Sequence, residues 1–178
     1  MTFLIRAPTA DDAEAVGRMH LAAWREAYAH LLPQDFFDDD AEARWMQRWT
    51  ANLAEPRADT VSRIALRGDE VVGLATAGPG RANESGGPPV RDRELWALYV
   101  RSSEYGSGLG HQLLTAVLPE DVPAELWVFE ANPRARAFYA KHGFEATEYT
   151  LRTDQLGTQL DPPAHWAPEY PGIDELPA

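Results

Sequence analysis

One stretch of the sequence decides the fold, residues 94–114: ELWALYVRSSEYGSGLGHQLL. The side chains of residues 94–100 alternate in character along the chain, and many are aromatic or β-branched. This pattern predicts a strand. Three glycines then interrupt any regular element, and they are Gly106, Gly108 and Gly110. From Leu109 onward, leucines recur at helical spacing until Pro119 ends the run. The stretch therefore predicts a strand, a glycine-rich loop and a helix, in that order.

The glycine-rich loop, residues 106–110, predicts a site for an anion. Glycine has no Cβ, so a ligand can contact the backbone closely. The N–H groups of the loop and of the first helical turn can then face the ligand, at the helix end that carries a partial positive charge. Such a cradle suits a phosphate or a pyrophosphate. A tight turn without a ligand is the alternative, and three alternating glycines favour the cradle.

Two familiar phosphate-binding motifs fit this loop poorly. A nucleoside-triphosphate P-loop needs a lysine and then a serine or threonine after its last glycine, whereas His111 and Gln112 follow here. A dinucleotide-binding motif needs a third glycine at the place of His111, and it usually opens its domain. Glu130 does match the acidic residue that this motif needs about 20 positions later. The dinucleotide motif therefore stays a distant alternative.

The loop resembles the acyl-CoA-binding motif of the GNAT superfamily of N-acetyltransferases. That motif is Gln/Arg-x-x-Gly-x-Gly/Ala, between a strand and a helix. Gly108 and Gly110 match its glycines, and Tyr105 departs from its Gln/Arg position. Because most donors of such a cradle are main-chain groups, the departure weakens the match without removing the site.

A second stretch, residues 126–144, strengthens the resemblance. It predicts a strand, then a helix with a proline in its first turn, then a glycine stop. It is similar to the next motif of the superfamily, Asn-x-x-Ala-x-x-x-Tyr, at Asn132, Ala135 and Tyr139. The usual Gly-Phe step into a strand follows at Gly143. Two motifs in the right order, with one helix between them, are a specific signal.

The resemblance implies the fold. The predicted order is a strand, two helices, three strands, a helix, a strand, a helix and a last strand at residues 144–152, as in the superfamily. We therefore expect an α+β fold: an α/β/α sandwich whose mixed, largely antiparallel sheet has helices on both faces. The acetyltransferase domain is expected in residues 1–152. Residues 153–178 are rich in proline and form either a short last strand or a tail that covers a sheet edge.

The resemblance also implies acetyl-CoA as the acyl donor and a set of residues that bind it. The backbone of the strand before the loop would contact the carbonyl and the pantetheine arm, provided that this strand separates from its neighbour. The sequence cannot show a bulge there, and an intact ladder is the alternative. The implied cofactor-binding residues are Leu98, Tyr99, Val100, Tyr105, Gly106, Ser107, Gly108, Leu109, Gly110, His111, Asn132 and Tyr139.

Two side chains are the candidates for proton transfer. Tyr139 matches the tyrosine of the superfamily, which implies an acid that protonates the leaving thiolate. Glu94 opens the central strand and could act as a base through water. Each has a structural alternative, since Tyr139 can pack beside Phe138 and Glu94 can be a solvated strand end. Asn132 also has a structural alternative, which is to cap the helix that follows it.

The composition limits the class of protein. With 178 residues, of which 44% are hydrophobic, the chain suits one domain with a substantial core. Its net charge of −12 argues against nucleic acid or an anionic membrane as a partner. It has no cysteine, no apolar stretch that could span a bilayer and no signal peptide at its start, which predicts a cytoplasmic protein. No metal site is expected.

The expected acceptor is an amine on a small molecule or a peptide, and the resemblance implies that it attacks the thioester directly. Residues 35–42 carry five carboxylates near the expected acceptor site, where they would attract a cationic amine. A solvated acidic loop is the alternative. The sequence leaves a homodimer open.

Two other functions remain open at this point. One is a catalytically silent module with the same fold that binds or senses acyl-CoA. The other, more distant, is an oxidoreductase that binds a nicotinamide dinucleotide. Stabilisation by acetyl-CoA but not by NAD would exclude the oxidoreductase, and thiol release with amines would exclude the silent module.

Overall fold

A computed structural model describes residues 2–32, 34–37, 39–81, 88–119 and 122–145. In these residues one sheet has five strands in the order β1-β2-β3-β4-β5. They are β1 (Leu4–Arg6), β2 (Val61–Arg67), β3 (Glu70–Pro79), β4 (Arg93–Val100) and β5 (Ala124–Leu126). The first four strands pair antiparallel, and β5 pairs parallel with β4. The predicted mixed, largely antiparallel sheet is confirmed.

Helices cover both faces of this sheet. They are α1 (Ala13–Tyr28), α2 (Asp39–Ala54), α3 (Leu109–Val117) and α4 (Pro133–Lys141). In β2, Ile64 belongs to a buried cluster with Val16 of α1, whereas the next residue, Ala65, belongs to a cluster with Leu113 of α3. Tyr139 of α4 lies in the same cluster as Ala65 and Leu113. Because neighbouring strand residues point to opposite faces, α1 and α3 lie on opposite sides of the sheet, as the α/β/α prediction requires.

Some predicted elements lie outside the described residues. Of the strand expected at residues 144–152, only Phe144 and Glu145 are described, and residues 153–178 fall outside altogether. The domain limit at residue 152 therefore stays a prediction. Of the helices in the described part of the chain, none combines the length and apolar character that a membrane crossing needs.

Candidate functional site

The site begins where β4 and β5 separate. The two strands pair only from Arg93 to Leu95, opposite residues 124–126. β5 ends at Leu126, and residues 127–129 are not in a strand, whereas β4 continues to Val100. Along its other edge, β4 has one extra residue relative to β3, Trp96, where the register shifts. This bulge increases the local twist of the strand, and it is a feature that the sequence pattern did not show.

A cavity of about 660 Å³ occupies the opening between β4 and α4. It brings together all the predicted cofactor-binding residues except Ser107 and Leu109. From the strand these are Leu98, Tyr99 and Val100; from the loop and α3, Tyr105, Gly106, Gly108, Gly110 and His111; and from the second motif, Asn132 and Tyr139. The two motifs, distant in sequence, therefore face one space. That these residues bind a cofactor stays a prediction.

The glycine-rich loop has the backbone that a cradle needs. Gly106 and Gly108 have φ values of 79° and 83°, in the left-handed region that strains any residue with a Cβ. In the described part of the chain, the backbone N–H groups of Gly108, Gly110 and His111 have no hydrogen-bond acceptor. They lie at the start of α3, where the first-turn N–H groups carry a partial positive charge. The loop therefore offers unused donors at the edge of the cavity.

Ser107 and Leu109 support the loop from behind. The Ser107 hydroxyl donates to the backbone oxygen of Glu104 at 2.6 Å and accepts from the Leu109 N–H at 3.3 Å. The Leu109 side chain is fully buried in the core under the sheet. Glu104 is also buried, and its carboxylate pairs with Arg67 of β2. These contacts connect the loop to the core and to β2.

Asn132 joins α4 to α1. Its side-chain oxygen accepts from the Ala135 N–H at 3.0 Å, which confirms that it caps α4. Its amide nitrogen donates to the Tyr28 hydroxyl at 3.2 Å. Tyr28 is buried and lines the cavity, and burial raises the pKa of its phenol. Sequence reasoning missed Tyr28, because a lone tyrosine at the end of a helix carries no motif.

Tyr139 lies on the wall of the cavity. Its side chain is 9% exposed and borders the same cavity as Leu98 and Val100. The ring packs edge-on against Phe138 at 5.2 Å and Phe144 at 5.7 Å between ring centroids. The packing alternative is therefore present in the structure, although Tyr139 also lines the cavity. Its role as an acid stays a prediction.

Glu94 is buried, contrary to the expectation of a solvated strand end. It is 1% exposed, so that expectation is wrong. Its carboxylate accepts from the backbone N–H of Arg81 at 3.0 Å, from Nε at 3.1 Å and from Nη2 at 2.6 Å. Glu94 does not line the cavity. A role as a base is untested, but the contacts of this carboxylate are those of a buried ion pair.

Two cationic side chains, those of Arg134 and Lys141, line the cavity although the chain is acidic overall. His111 and His142 line it too, and of these four residues the sequence had indicated only His111 as a site residue. The predicted acidic stretch is described only in part, since Asp38 and the side chains of residues 35 and 39 fall outside. No group of three metal-ligating side chains occurs among the residues that the structure describes.

Comparison with known proteins identifies the family. The model of the acetyltransferase (GNAT) family matches residues 20–144. The chain belongs to this family. A probable N-acetyltransferase of Mycobacterium tuberculosis is 29% identical to this GNAT protein over 143 residues, which cover 79% of this chain and 78% of the relative. An uncharacterized N-acetyltransferase of Bacillus subtilis is 24% identical over 169 residues, which cover 86% and 91%.

Solved structures share the fold of this GNAT protein. The PaiA N-acetyltransferase from Thermoplasma acidophilum, in complex with coenzyme A, has a TM-score of 0.65 and 17% sequence identity. The match covers 84% of this chain and 93% of that one. At this identity the likeness shows the fold alone. Family membership makes the protein an acyltransferase, and it confirms the recognition made from the two motifs.

Proposed function

We propose that this GNAT protein transfers an acetyl group from acetyl-CoA to a primary amine by direct attack. The observation that carries the proposal is that the glycine-rich loop and Tyr139 both line the cavity between β4 and α4. The coenzyme A bound to the Thermoplasma relative supports the choice of donor. A silent acyl-CoA-binding module would share these features, so the experiment must measure turnover.

The residues present fit coenzyme A. The unused N–H groups of Gly108, Gly110 and His111 suit a pyrophosphate, and a Cβ at Gly108 would need a strained backbone. Leu98 and Val100 border the cavity, and their backbone could bind the amides of the pantetheine arm. Apolar lining such as Phe138 would exclude water from the thioester.

The reaction needs few side chains of the protein. A neutral amine nitrogen attacks the thioester carbonyl carbon, the new C–N bond forms and the C–S bond breaks. The amine loses a proton to water or to a base, and the Tyr139 hydroxyl gives a proton to the leaving sulfur. Phenols carry their proton at neutral pH, so Tyr139 could supply it. Positioning the two substrates in one cavity provides most of the remaining rate increase.

The acceptor side is the less defined part of the proposal. We expect an amine on a small molecule or a peptide, and a cationic one would be attracted by the acidic stretch. Asp40 of that stretch is exposed, and Glu42 is exposed but accepts from Arg18 at 3.0 Å. The proposal includes a cytoplasmic location, where acetyl-CoA is available.

Thiol release with a panel of amines tests the proposal. The purified protein is first heated with acetyl-CoA and with NAD, and we expect acetyl-CoA alone to raise the melting temperature. Free thiol is then measured with acetyl-CoA and each amine, including diamines, aminoglycosides and peptide N-termini. Binding without turnover on any amine would favour the silent module, and stabilisation by NAD alone would favour the oxidoreductase.

A further inference from the structure

Arg134 is held at the mouth of the cavity by Tyr105. Arg134 is the second residue of α4, and Tyr105 directly precedes the glycine-rich loop. The Arg134 Nη2 donates to the Tyr105 hydroxyl at 2.7 Å, and its Cζ lies 3.6 Å from the centre of the tyrosine ring. The guanidinium therefore lies over the ring and is fixed at one end by a hydrogen bond. Both side chains line the cavity.

The charge of Arg134 has no counterion in the described part of the chain. Three arginines of the sheet and its loops do pair with carboxylates: Arg67 with Glu104, Arg81 with Glu94 and Arg101 with Glu26. The partner of Arg134 is instead the phenol of Tyr105. Burial, the largest influence, raises the pKa of this phenol, which is therefore neutral. In a chain of net charge −12, an arginine kept beside a cavity without a carboxylate indicates a site for an anionic ligand.

The hydrogen bond to Tyr105 also leaves most of the guanidinium available. Arginine has five N–H donors in a planar fork that matches the oxygens of a phosphate, and Tyr105 takes one of them. Tyr105 directly precedes the glycine-rich loop, and the unused N–H groups described above lie on that loop and on the first turn of α3. An anion on the loop would therefore lie within reach of donors from two elements, the loop on one side and α4 on the other.

We propose that Arg134 binds the pyrophosphate of coenzyme A and that Tyr105 is the positioning residue that orients it. The inference rests on the proposed function. It also accounts for the departure at Tyr105 from the Gln/Arg position of the acyl-CoA motif. The cation comes from α4 in this chain, and the loop contributes the aromatic support that fixes it.

Binding measurements with three probes test this proposal without turnover. The probes are coenzyme A, dephospho-coenzyme A, which lacks the 3′-phosphate, and pantetheine, which has no phosphate. The variants are Arg134→Gln and, as the matched control, Arg136→Gln on the same helix. Arg136 is exposed and does not line the cavity. Calorimetric titrations at several salt concentrations give the dissociation constants and their salt dependence.

We expect Arg134→Gln to weaken coenzyme A and dephospho-coenzyme A alike, by about tenfold or more, because a charged hydrogen bond to phosphate is lost. Pantetheine binding should not change, and the salt dependence of coenzyme A binding should become shallower. Arg136→Gln should behave as the wild type. Equal dissociation constants for the two variants would overturn the proposal. A loss seen with coenzyme A but not with dephospho-coenzyme A would overturn the pyrophosphate assignment in favour of the 3′-phosphate.

The role of Tyr105 is tested by a double-mutant cycle. Tyr105→Phe keeps the ring under the guanidinium and removes the hydroxyl, so we expect a smaller loss of coenzyme A affinity than with Arg134→Gln. Adding Tyr105→Phe to Arg134→Gln should cost nothing more. Fully additive losses would show that Tyr105 acts independently of Arg134, against the positioning role. Failure of the wild type to bind any of the probes would contradict the proposed function itself, a result distinct from these.

Discussion

The glycine-rich loop can be tested by adding one methyl group at Gly108, with Gly68 as a matched control. Gly108 has φ 83° and Gly68, in the hairpin between β2 and β3, has φ 59°. At both positions, an added Cβ would have no atom within 4 Å. An alanine therefore strains the backbone at both positions and clashes with nothing. We expect each substitution to lower the free energy of unfolding by about 1–2 kcal/mol.

The two variants should differ once acetyl-CoA is present, because only Gly108 lines the cavity. At a ligand concentration of about 100 Kd, binding stabilises a fold by about 2.7 kcal/mol. If the methyl raises Kd about tenfold, the same concentration stabilises Gly108→Ala by about 1.4 kcal/mol. For a chain of this size, about 2–4 °C corresponds to 1 kcal/mol. The ligand-induced rise in melting temperature should therefore fall from about 5–11 °C to about 3–6 °C.

Differential scanning calorimetry with and without acetyl-CoA measures both effects in one experiment. Gly68→Ala should melt lower than the wild type and keep the full ligand-induced rise. Gly110 is a poorer choice for this comparison, because its added Cβ would lie 3.2 Å from the ring of Phe138 and would disturb α4. An equal ligand-induced rise for Gly108→Ala and Gly68→Ala would refute the idea that the loop is a cradle for the pyrophosphate.

Further predictions concern side chains rather than the loop. Tyr139→Phe should lower kcat by about 10²-fold with little change in acetyl-CoA affinity if Tyr139 is the acid; a wild-type kcat when chemistry is rate-limiting would leave it as a packing residue. Arg81→Gln strands the buried carboxylate of Glu94 and should lower the free energy of unfolding by about 3 kcal/mol in urea titrations. A full kcat for Glu94→Gln would contradict a role as the base. The Arg6 guanidinium, bonded to Asp12 through two contacts of 2.7 Å, holds the pKa of Asp12 well below its ordinary range. The ion pair therefore stabilises the fold above a pH of about 4, and this stabilisation is lost as the pH falls further. The difference in free energy of unfolding between wild type and Asp12→Asn should narrow from pH 7 to pH 2. A constant difference would exclude this linkage.

The sequence alone determined the features that depend on neighbouring residues. Each of these features depends on residues only a few positions apart: the alternation in residues 94–100, the glycines of the loop and the cap at Asn132. Strand, turn and helix preferences are local properties, so these predictions succeeded. Because the family motifs consist of such local features, the family and the α/β/α architecture could be recognised before any contact was known.

The tertiary structure decided everything that depends on pairing between distant segments. The bulge at Trp96 and the early end of β5, which together open the cavity, follow from strand register rather than from composition. Asn132 meets Tyr28 across 104 positions and Arg134 meets Tyr105 across 29. Such contacts form only when packed elements bring side chains within hydrogen-bond distance, and no local preference encodes that distance. The glycine-rich loop could therefore be predicted from the sequence, whereas the arginine beside it appeared only in the fold.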